Sequence, residues 1–94
     1  MLVASSALAC DYPDEGNRPL RRAVARVRDI PEVAAWAERM HEAGELVQYV
    51  VLLEETFRDR GHCYWTVETR AQGAVWRRFY VTPDGGRVLP ADRR

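Results

Sequence analysis

The fold is decided by residues 62–81, HCYWTVETRAQGAVWRRFYV. β-Branched and aromatic residues crowd both halves of this segment, and Gly73 lies between the two halves. Such side chains suit the pleated surface of a sheet, while glycine supplies the positive φ that tight turns require. The segment is therefore predicted to form a β-hairpin, and the remaining elements must pack around it.

The length of the hairpin loop determines which side chains share a face, because a shift of one residue exchanges the two faces. A three-residue loop, Ala71-Gln72-Gly73, gives one largely apolar face, whereas a two-residue loop, Gln72-Gly73, mixes apolar with charged side chains. We therefore predict the three-residue loop. Its apolar face carries Cys63, Trp65, Val67, Val75, Phe79 and Val81. Arg77 falls on this face as well, and we expect its guanidinium to reach water near an edge.

The opposite face of the hairpin combines large aromatic side chains with an arginine: Tyr64, Trp76, Arg78 and Tyr80. Aromatic residues and arginine are enriched in the parts of protein interfaces that contribute most to affinity. These four residues are therefore the predicted binding surface. The alternative is that they only shield the sheet from water, with Arg78 lying over an aromatic ring.

Two helices are predicted ahead of the hairpin. The first begins at Arg18-Pro19, where proline is tolerated, with Asn17 as its N-cap. Its apolar residues follow helical spacing: Leu20, Ala23, Val24 and Val27. The second helix is predicted over residues 31–43, with Asp29 as its N-cap and Gly44 as its stop. Its apolar stripe consists of Val33, Trp36, Ala37 and Met40.

Residues 45–58 fit either a strand or a helix. Strand-like alternation runs through Val47, Tyr49, Val51, Leu53 and Phe57, and helical spacing through Leu46, Val50, Leu53 and Phe57. The β-branched pair Val50-Val51 and the turn formers at residues 59–61 favour the strand.

A turn at residues 82–86 and a short strand at residues 87–89, ended by Pro90, complete the chain. The predicted fold class is α+β, with one or two N-terminal helices packed on a four-stranded antiparallel sheet.

The length of 94 residues corresponds to one domain. We expect it to occupy residues 18–94, after an N-terminal segment at residues 1–9 and a linker at residues 10–17. The formal net charge is zero, so neither a nucleic acid nor an anionic membrane is expected as a partner. No apolar run is long enough to span a bilayer. We expect a monomer.

The first nine residues, MLVASSALA, predict export. They are small and apolar and end in Ala7-Leu8-Ala9, an A-x-A triplet of the kind that signal peptidase recognises. The segment is short and lacks a basic start, so it is interpreted as the remnant of a longer signal peptide. The alternative is an N-terminus without a targeting role. The predicted location is periplasmic or secreted.

Cys10 and Cys63 are the two cysteines of the chain. In an oxidising compartment a pair of cysteines in a small domain is expected to form a disulfide. Closing a loop of about fifty residues would stabilise the domain by roughly 3–4 kcal/mol. The alternative is a lipid anchor at Cys10, since Leu8-Ala9-Cys10 is similar to the end of a bacterial lipobox. That motif has leucine three residues before the cysteine, where this chain has Ala7.

The second half of the chain resembles the cystatin-like and PepSY-like group of small exported domains. Trp65-Thr66-Val67 is similar to the aromatic-x-Val strand of PepSY domains, and residues 81–89 to their closing Val-Asp-x-x-x-Gly-x-Val segment. Thr82 stands where that group has aspartate. The resemblance implies a helix-on-sheet fold and a periplasmic module without enzymatic activity. Members of the group have been proposed to bind or restrain peptidases, but no inhibitory residue is transferable to this sequence.

No catalytic, metal or cofactor site is predicted. His41, His62 and Cys63 lack the third group that orients a catalytic thiol–imidazole pair. The two histidines and two cysteines also lack the compact spacing of metal ligands. Glu54 and Glu55 would point to opposite faces of a strand, so they cannot work as a general acid and base.

The expected function is that of an exported, non-enzymatic domain that binds a protein or peptide through its aromatic sheet face. The alternative is a carrier that holds a small ligand in a cavity between the helices and the sheet. A carrier requires an enclosed apolar pocket of several hundred Å³, whereas a binding module has a filled core.

Overall fold

The computed structural model describes residues 18–90, except for the side chains of Leu53, Glu54 and Phe57. The elements are α1 (Arg18–Arg28), α2 (Pro31–Glu42), β1 (Val47–Asp59), β2 (His62–Ala71), β3 (Ala74–Val81) and β4 (Val88–Pro90). The strands form one antiparallel sheet in the order β1-β2-β3-β4, and the helices pack against it. The predicted α+β architecture is confirmed. The predicted segments at residues 1–9 and 10–17, with the Asn17 cap, lie outside the described residues.

Helix α1 buries one narrow stripe and exposes its arginines. Pro19, Ala23 and Val27 recur every four residues, and all three are buried against the sheet. The same helix contains five arginines and no acidic residue. Its buried stripe confirms the helical spacing found in the sequence, and its remaining surface is strongly cationic.

Helix α2 begins one residue later than the predicted cap implies. Ile30 is the N-cap, in an extended conformation, and no side chain caps the helix, so the Asp29 prediction is wrong. The cause is Pro31, which disfavours helical geometry in the residue before it. The backbone N–H of Asp29 instead donates to the carbonyl of Ala25 and completes the last turn of α1.

Gly44 ends α2, as predicted. Its φ of +78° allows a Schellman turn, in which the Gly44 N–H donates to the His41 carbonyl and the Glu45 N–H to the Met40 carbonyl. The stripe of α2 is confirmed too, because Val33 and Trp36 are buried and Ala37 and Met40 pack against the core.

Strand β1 confirms the strand prediction for residues 45–58 but interrupts the predicted alternation. The register with β2 shifts between Leu52 and Thr56, so three residues of β1 bulge out of the ladder. The hydroxyl of Thr66 donates to the Glu55 carbonyl across 2.9 Å and satisfies a backbone oxygen within the bulge. Because the number of unpaired residues is odd, side chains that alternate toward one face of the sheet before the bulge alternate toward the other face after it.

Both long hairpins close with two-residue loops. Arg60 and Gly61 have φ of 53° and 83°, and Gln72 and Gly73 have φ of 58° and 74°. Positive φ at both positions is the type I′ geometry, whose twist matches that of the strands. The predicted three-residue loop Ala71-Gln72-Gly73 is therefore wrong, since Ala71 pairs with Ala74.

A β-bulge at Trp76 nevertheless restores the predicted faces beyond the loop. Thr69 pairs with Arg77 and Arg70 with Val75, so Trp76 is the extra residue of β3. A two-residue loop followed by one extra residue in β3 places the side chains beyond the bulge on the same faces as a three-residue loop would. Beyond the bulge, apolar residues share one face as predicted: Trp65, Val67, Phe79 and Val81. Val75, on the loop side of the bulge, is outside the core.

The bulge turns Trp76 toward the helices, which contradicts its predicted place on the opposite face. Its ring stacks on Trp36 of α2, with centroids 4.6 Å apart and planes 2° from parallel. Arg77 points the same way, as expected of the two neighbours in a bulge, and pairs with Glu32 of α2. The Arg77 side chain is 40% exposed, which confirms that its head reaches water. Thr69 fixes the bulge, because its hydroxyl donates to the Arg77 carbonyl and accepts from the Arg77 N–H.

The predicted turn at residues 82–86 is confirmed and is tied to α1. The Asp84 carboxylate accepts hydrogen bonds from the Thr82 hydroxyl at 2.7 Å and the Gly86 N–H at 2.9 Å. These donors favour the charged form and hold the pKa of Asp84 below its ordinary value. The guanidinium of Arg22 on α1 donates to the Pro83 carbonyl at 3.2 Å. The turn therefore links the last hairpin to the helical layer.

We predict that Gln72→Asn increases the free energy of unfolding by about 0.5–1 kcal/mol, because Asn-Gly suits a type I′ turn better than Gln-Gly. Urea denaturation measures the change. Gln48→Asn on the exposed surface of β1 is the matched control, and it should not stabilise the domain. An unchanged or lower stability of Gln72→Asn would contradict the turn geometry.

Candidate functional site: a groove beside the first strand

The predicted binding surface is not one exposed face. Tyr64 is only 3% exposed, and Trp76 lies on the helical side against Trp36. Arg78 is exposed and Tyr80 is half-buried. The prediction that Tyr64 is accessible is therefore wrong, as is the prediction that Trp76 shares its face, and Arg78 and Tyr80 alone form no aromatic patch.

Burial of β2 explains this outcome. The strand lies between β1 and β3, and its residues 64–69 are all buried, whichever face they point to. They include Glu68, whose carboxylate accepts a hydrogen bond from Arg78 at 2.9 Å and lies 3.7 Å from Arg70. The bond to Glu68 raises the pKa of Arg78. Arg78 thus neutralises a buried carboxylate, a structural role that sequence reasoning did not assign to it.

A different surface, the edge groove, lies where β1 meets the two helices. Its α1 lobe has a volume of about 580 Å³ and is lined by Leu20, Arg21, Val24, Arg28, Tyr49 and Val51. Its α2 lobe has a volume of about 710 Å³ and is lined by Glu38, His41, Glu45, Leu46 and Val47. Arg28 and Tyr49 line both lobes and mark the place where the two lobes meet. Both lobes are open to solvent.

The groove borders an edge of the sheet. Within residues 18–90, β1 pairs with β2 on one side and with no strand on the other. An edge strand presents backbone N–H and C=O groups to whatever approaches it. The first residues of β1, VQYVVL, contain no charge, and Leu46 just before them is 74% exposed. The usual devices that protect an edge are absent from this stretch, namely charged side chains and proline.

Charge is distributed unevenly along the groove. In the α1 lobe, the guanidinium of Arg28 lies over the ring of Tyr49, 5.7 Å from its centroid. Burial raises the pKa of Tyr49, and the positive charge of Arg28 partly opposes that rise. The α2 lobe has Glu38 and Glu45 along its walls. Arg21 belongs to the α1 lobe alone and Arg28 to the junction, whereas both glutamates belong to the α2 lobe, so positive charge predominates toward α1 and negative charge toward α2.

The arrangement suits an extended chain better than an enclosed ligand. An added strand would satisfy the backbone of β1, and its alternate side chains would enter the apolar lobes. The centre of the domain is filled by large side chains, Trp36, Trp65 and Phe79, and the two lobes are open grooves. Neither lobe is the enclosed pocket that a carrier requires.

The sequence contains a signal for this site. The uncharged run at residues 46–53, LVQYVVLL, is predicted to be a strand, but its composition alone does not indicate its position in the sheet. Strand order follows from pairing between distant segments, so an edge position is invisible to local periodicity. Consecutive hairpins do place the first strand at an edge, and that topological rule would have identified it.

The two histidines lie in different parts of the fold. No group of three His, Cys, Asp or Glu residues within the described part of the chain could hold a metal ion. His41 lines the edge groove, whereas His62 and Cys63 line a separate pocket at the other end of the sheet. Neither α1 nor α2 has the length and apolar content of a membrane-spanning helix. Cys10 lies outside the described residues, so its disulfide with Cys63 and the lipid anchor stay predictions.

No protein-family model, curated protein or solved structure matches the chain. The resemblance to cystatin-like and PepSY-like domains therefore stays a prediction, as does export.

We predict that Arg28→Gln raises the pKa of Tyr49 further, because the variant loses the positive charge that favours the phenolate. Carbon-13 NMR of the tyrosine rings as a function of pH measures the shift. Arg26→Gln on the same helix removes an equal charge away from the groove and should leave this pKa unchanged. A pKa of Tyr49 that is unchanged or lower in Arg28→Gln would refute the contact.

Proposed function

We propose that this chain is an exported, non-enzymatic domain that binds an extended segment of a protein or peptide by adding it to β1 as a further strand. The observation that supports the proposal is the uncharged edge of β1 lying directly beside an open apolar groove. Main-chain hydrogen bonds to the edge would provide affinity, and pockets for alternate side chains would provide specificity.

The dimensions of the groove define the length of the bound segment. The lining residues of β1 extend from Val47 to Val51, which is about 13 Å at roughly 3.3 Å per residue. A segment of five or six residues covers this distance. Its inward side chains would contact Val24 and Leu20 in the α1 lobe and Val47 in the α2 lobe.

The other edge of the sheet is a poorer site. Strand β4 has three residues and ends at Pro90, which has no N–H to donate. So short a strand offers few backbone groups to a partner. The rest of this edge is formed by residues 74–78 of β3, where Arg77 and Arg78 supply the charges that discourage strand addition. Binding should therefore be confined to β1, and β4 serves as an internal control.

The proposal replaces the aromatic face by the edge groove but keeps the class of function. A segment of a peptidase is one partner that would suit such a domain, in keeping with the resemblance to PepSY domains. The proposed periplasmic or secreted location depends on residues 1–9 alone.

A carrier of a small apolar ligand is the second candidate, because the α1 lobe is lined mainly by apolar side chains. The two candidates differ in what the ligand must supply. A small ligand needs apolar surface only, whereas an added strand needs a free peptide backbone.

We predict that octapeptides selected from a random library will increase the hydrogen-exchange protection of those amides of residues 47–52 that do not already bond to β2, and will leave the exchange of residues 88–89 unchanged. N-methylation at alternate positions of the tightest peptide should then weaken binding at least tenfold in one of the two registers, because it removes hydrogen bonds to the edge.

The two N-methylated registers control each other, because only one of them faces β1. Equal binding of both registers and of the unmodified peptide would contradict strand addition and favour the carrier. Protection confined to β4 would place the site at the wrong edge.

A further inference from the structure

The arginines of the α1 lobe differ from three arginines of the sheet in having no acidic partner among the described side chains. Arg70 and Arg78 lie beside Glu68, and Arg77 pairs with Glu32. By contrast, no salt bridge joins Arg21 or Arg28 to a carboxylate whose side chain the structure describes. Two guanidinium groups therefore line an apolar lobe without an acidic partner from the described part of the chain.

We propose that the segment bound at β1 carries an acidic side chain, and that Arg21 and Arg28 bind its carboxylate at the α1 end of the edge groove. This inference rests on the proposed function and names the chemical class of the partner: an extended acidic peptide with apolar residues beside the acid. The geometry supports it because Arg28 lines the α1 lobe together with Arg21, and its guanidinium lies 5.7 Å from the centroid of the Tyr49 ring.

The opposite end of the groove gives the bound segment a direction. Glu38 and Glu45 line the α2 lobe and would repel a second carboxylate there. An acidic residue in the α1 lobe and apolar residues beside Leu46 and Val47 in the α2 lobe match the order of charges along the groove. A segment with its acid at the α2 end would face these two glutamates instead.

The size of the effect follows from the exposure of the two arginines. Both are exposed, so each pair with a carboxylate is weakened by water and salt. The planar guanidinium strengthens the contact when it binds both carboxylate oxygens. We therefore expect an acidic peptide to bind about three- to tenfold more tightly than its amide counterpart.

A nucleic acid is the rival ligand for an arginine-rich helix. The chain as a whole has no net charge, which argues against the broad positive field that nucleic-acid binding requires. The described edge groove instead combines two cations with apolar walls and a strand edge. These features together suit a peptide better than a phosphate backbone.

The experiment selects phage-displayed random octapeptides on three forms of the full chain. These are the wild type, the double variant Arg21→Gln/Arg28→Gln, and the control Arg26→Gln/Arg39→Gln, which removes the same charge outside the groove. The tightest wild-type peptide is then synthesised with its acidic residue intact and with that residue changed from Glu to Gln or Asp to Asn. Affinities are measured at low and high salt, and thermal unfolding confirms that all three proteins are folded.

The inference predicts enrichment of Asp and Glu at one position for the wild type and the control, and loss of that enrichment for Arg21→Gln/Arg28→Gln. The three- to tenfold preference for the acidic peptide should also fall at high salt. Peptides that bind β1 without an acidic preference, or with a basic one, would overturn this inference and leave the proposed function standing.

Three other outcomes overturn the inference in different ways. If no peptide is enriched on any form, the proposed function fails with it. If the chain dimerises with its β1 amides protected in the absence of peptide, the occupant of the edge is a second copy. If a mixed-sequence single-stranded oligonucleotide binds and loses affinity in Arg21→Gln/Arg28→Gln, the arginines serve a nucleic acid.

Discussion

The stack of Trp76 on Trp36 is the interaction on which the arrangement of the domain depends. It exists because β3 contains one residue more than β2 can pair, so that Trp76 leaves the ladder and turns toward α2. Aromatic stacking of this kind adds to the stabilisation from buried area, by about 0.5–1.5 kcal/mol. The adjacent contact of Arg77 with Glu32 fixes the same helix to the same strand. Helix α2 is therefore held to the sheet at the bulge.

The position of the helices in turn creates the edge groove. With α2 held at Trp76 and α1 tied to the last turn through Arg22 and Pro83, both helices leave the outer edge of β1 uncovered. Tyr49 and Val51 point to the helical side but remain half-exposed. The groove thus exists because two short helices cover only part of a wider sheet. The proposed binding of a strand requires no helix or strand beyond these. Charge then distinguishes the two ends of the groove.

Local patterns predicted most of the fold, because helix stripes and strand composition are properties of neighbouring residues. The stop at Gly44, the strand nature of β1 and the grouping of Trp65, Val67, Phe79 and Val81 all came from such patterns. The prediction of an Asp29 cap is wrong because Pro31 disfavours helical geometry at Ile30, and this constraint outweighs the capping preference of aspartate. The prediction of the hairpin loop is wrong because two local irregularities cancel. A loop of two residues instead of three, combined with one extra residue in β3, leaves the same side chains together on each face beyond the bulge. The prediction of the binding surface is wrong for a different reason. The burial of Tyr64 and the edge position of β1 both depend on the order of strands in the sheet, and the pattern within one segment does not show that order.

The most direct test of this account is the register of the β2–β3 hairpin, measured from interstrand backbone NOEs by NMR. The account predicts contacts between Val67 and Phe79 and between Arg70 and Val75, on either side of the Trp76 bulge. A three-residue loop without a bulge would instead give contacts between Val67 and Arg77 and between Thr69 and Val75. That second pattern would remove Trp76 from α2 and contradict the packing from which the edge groove follows.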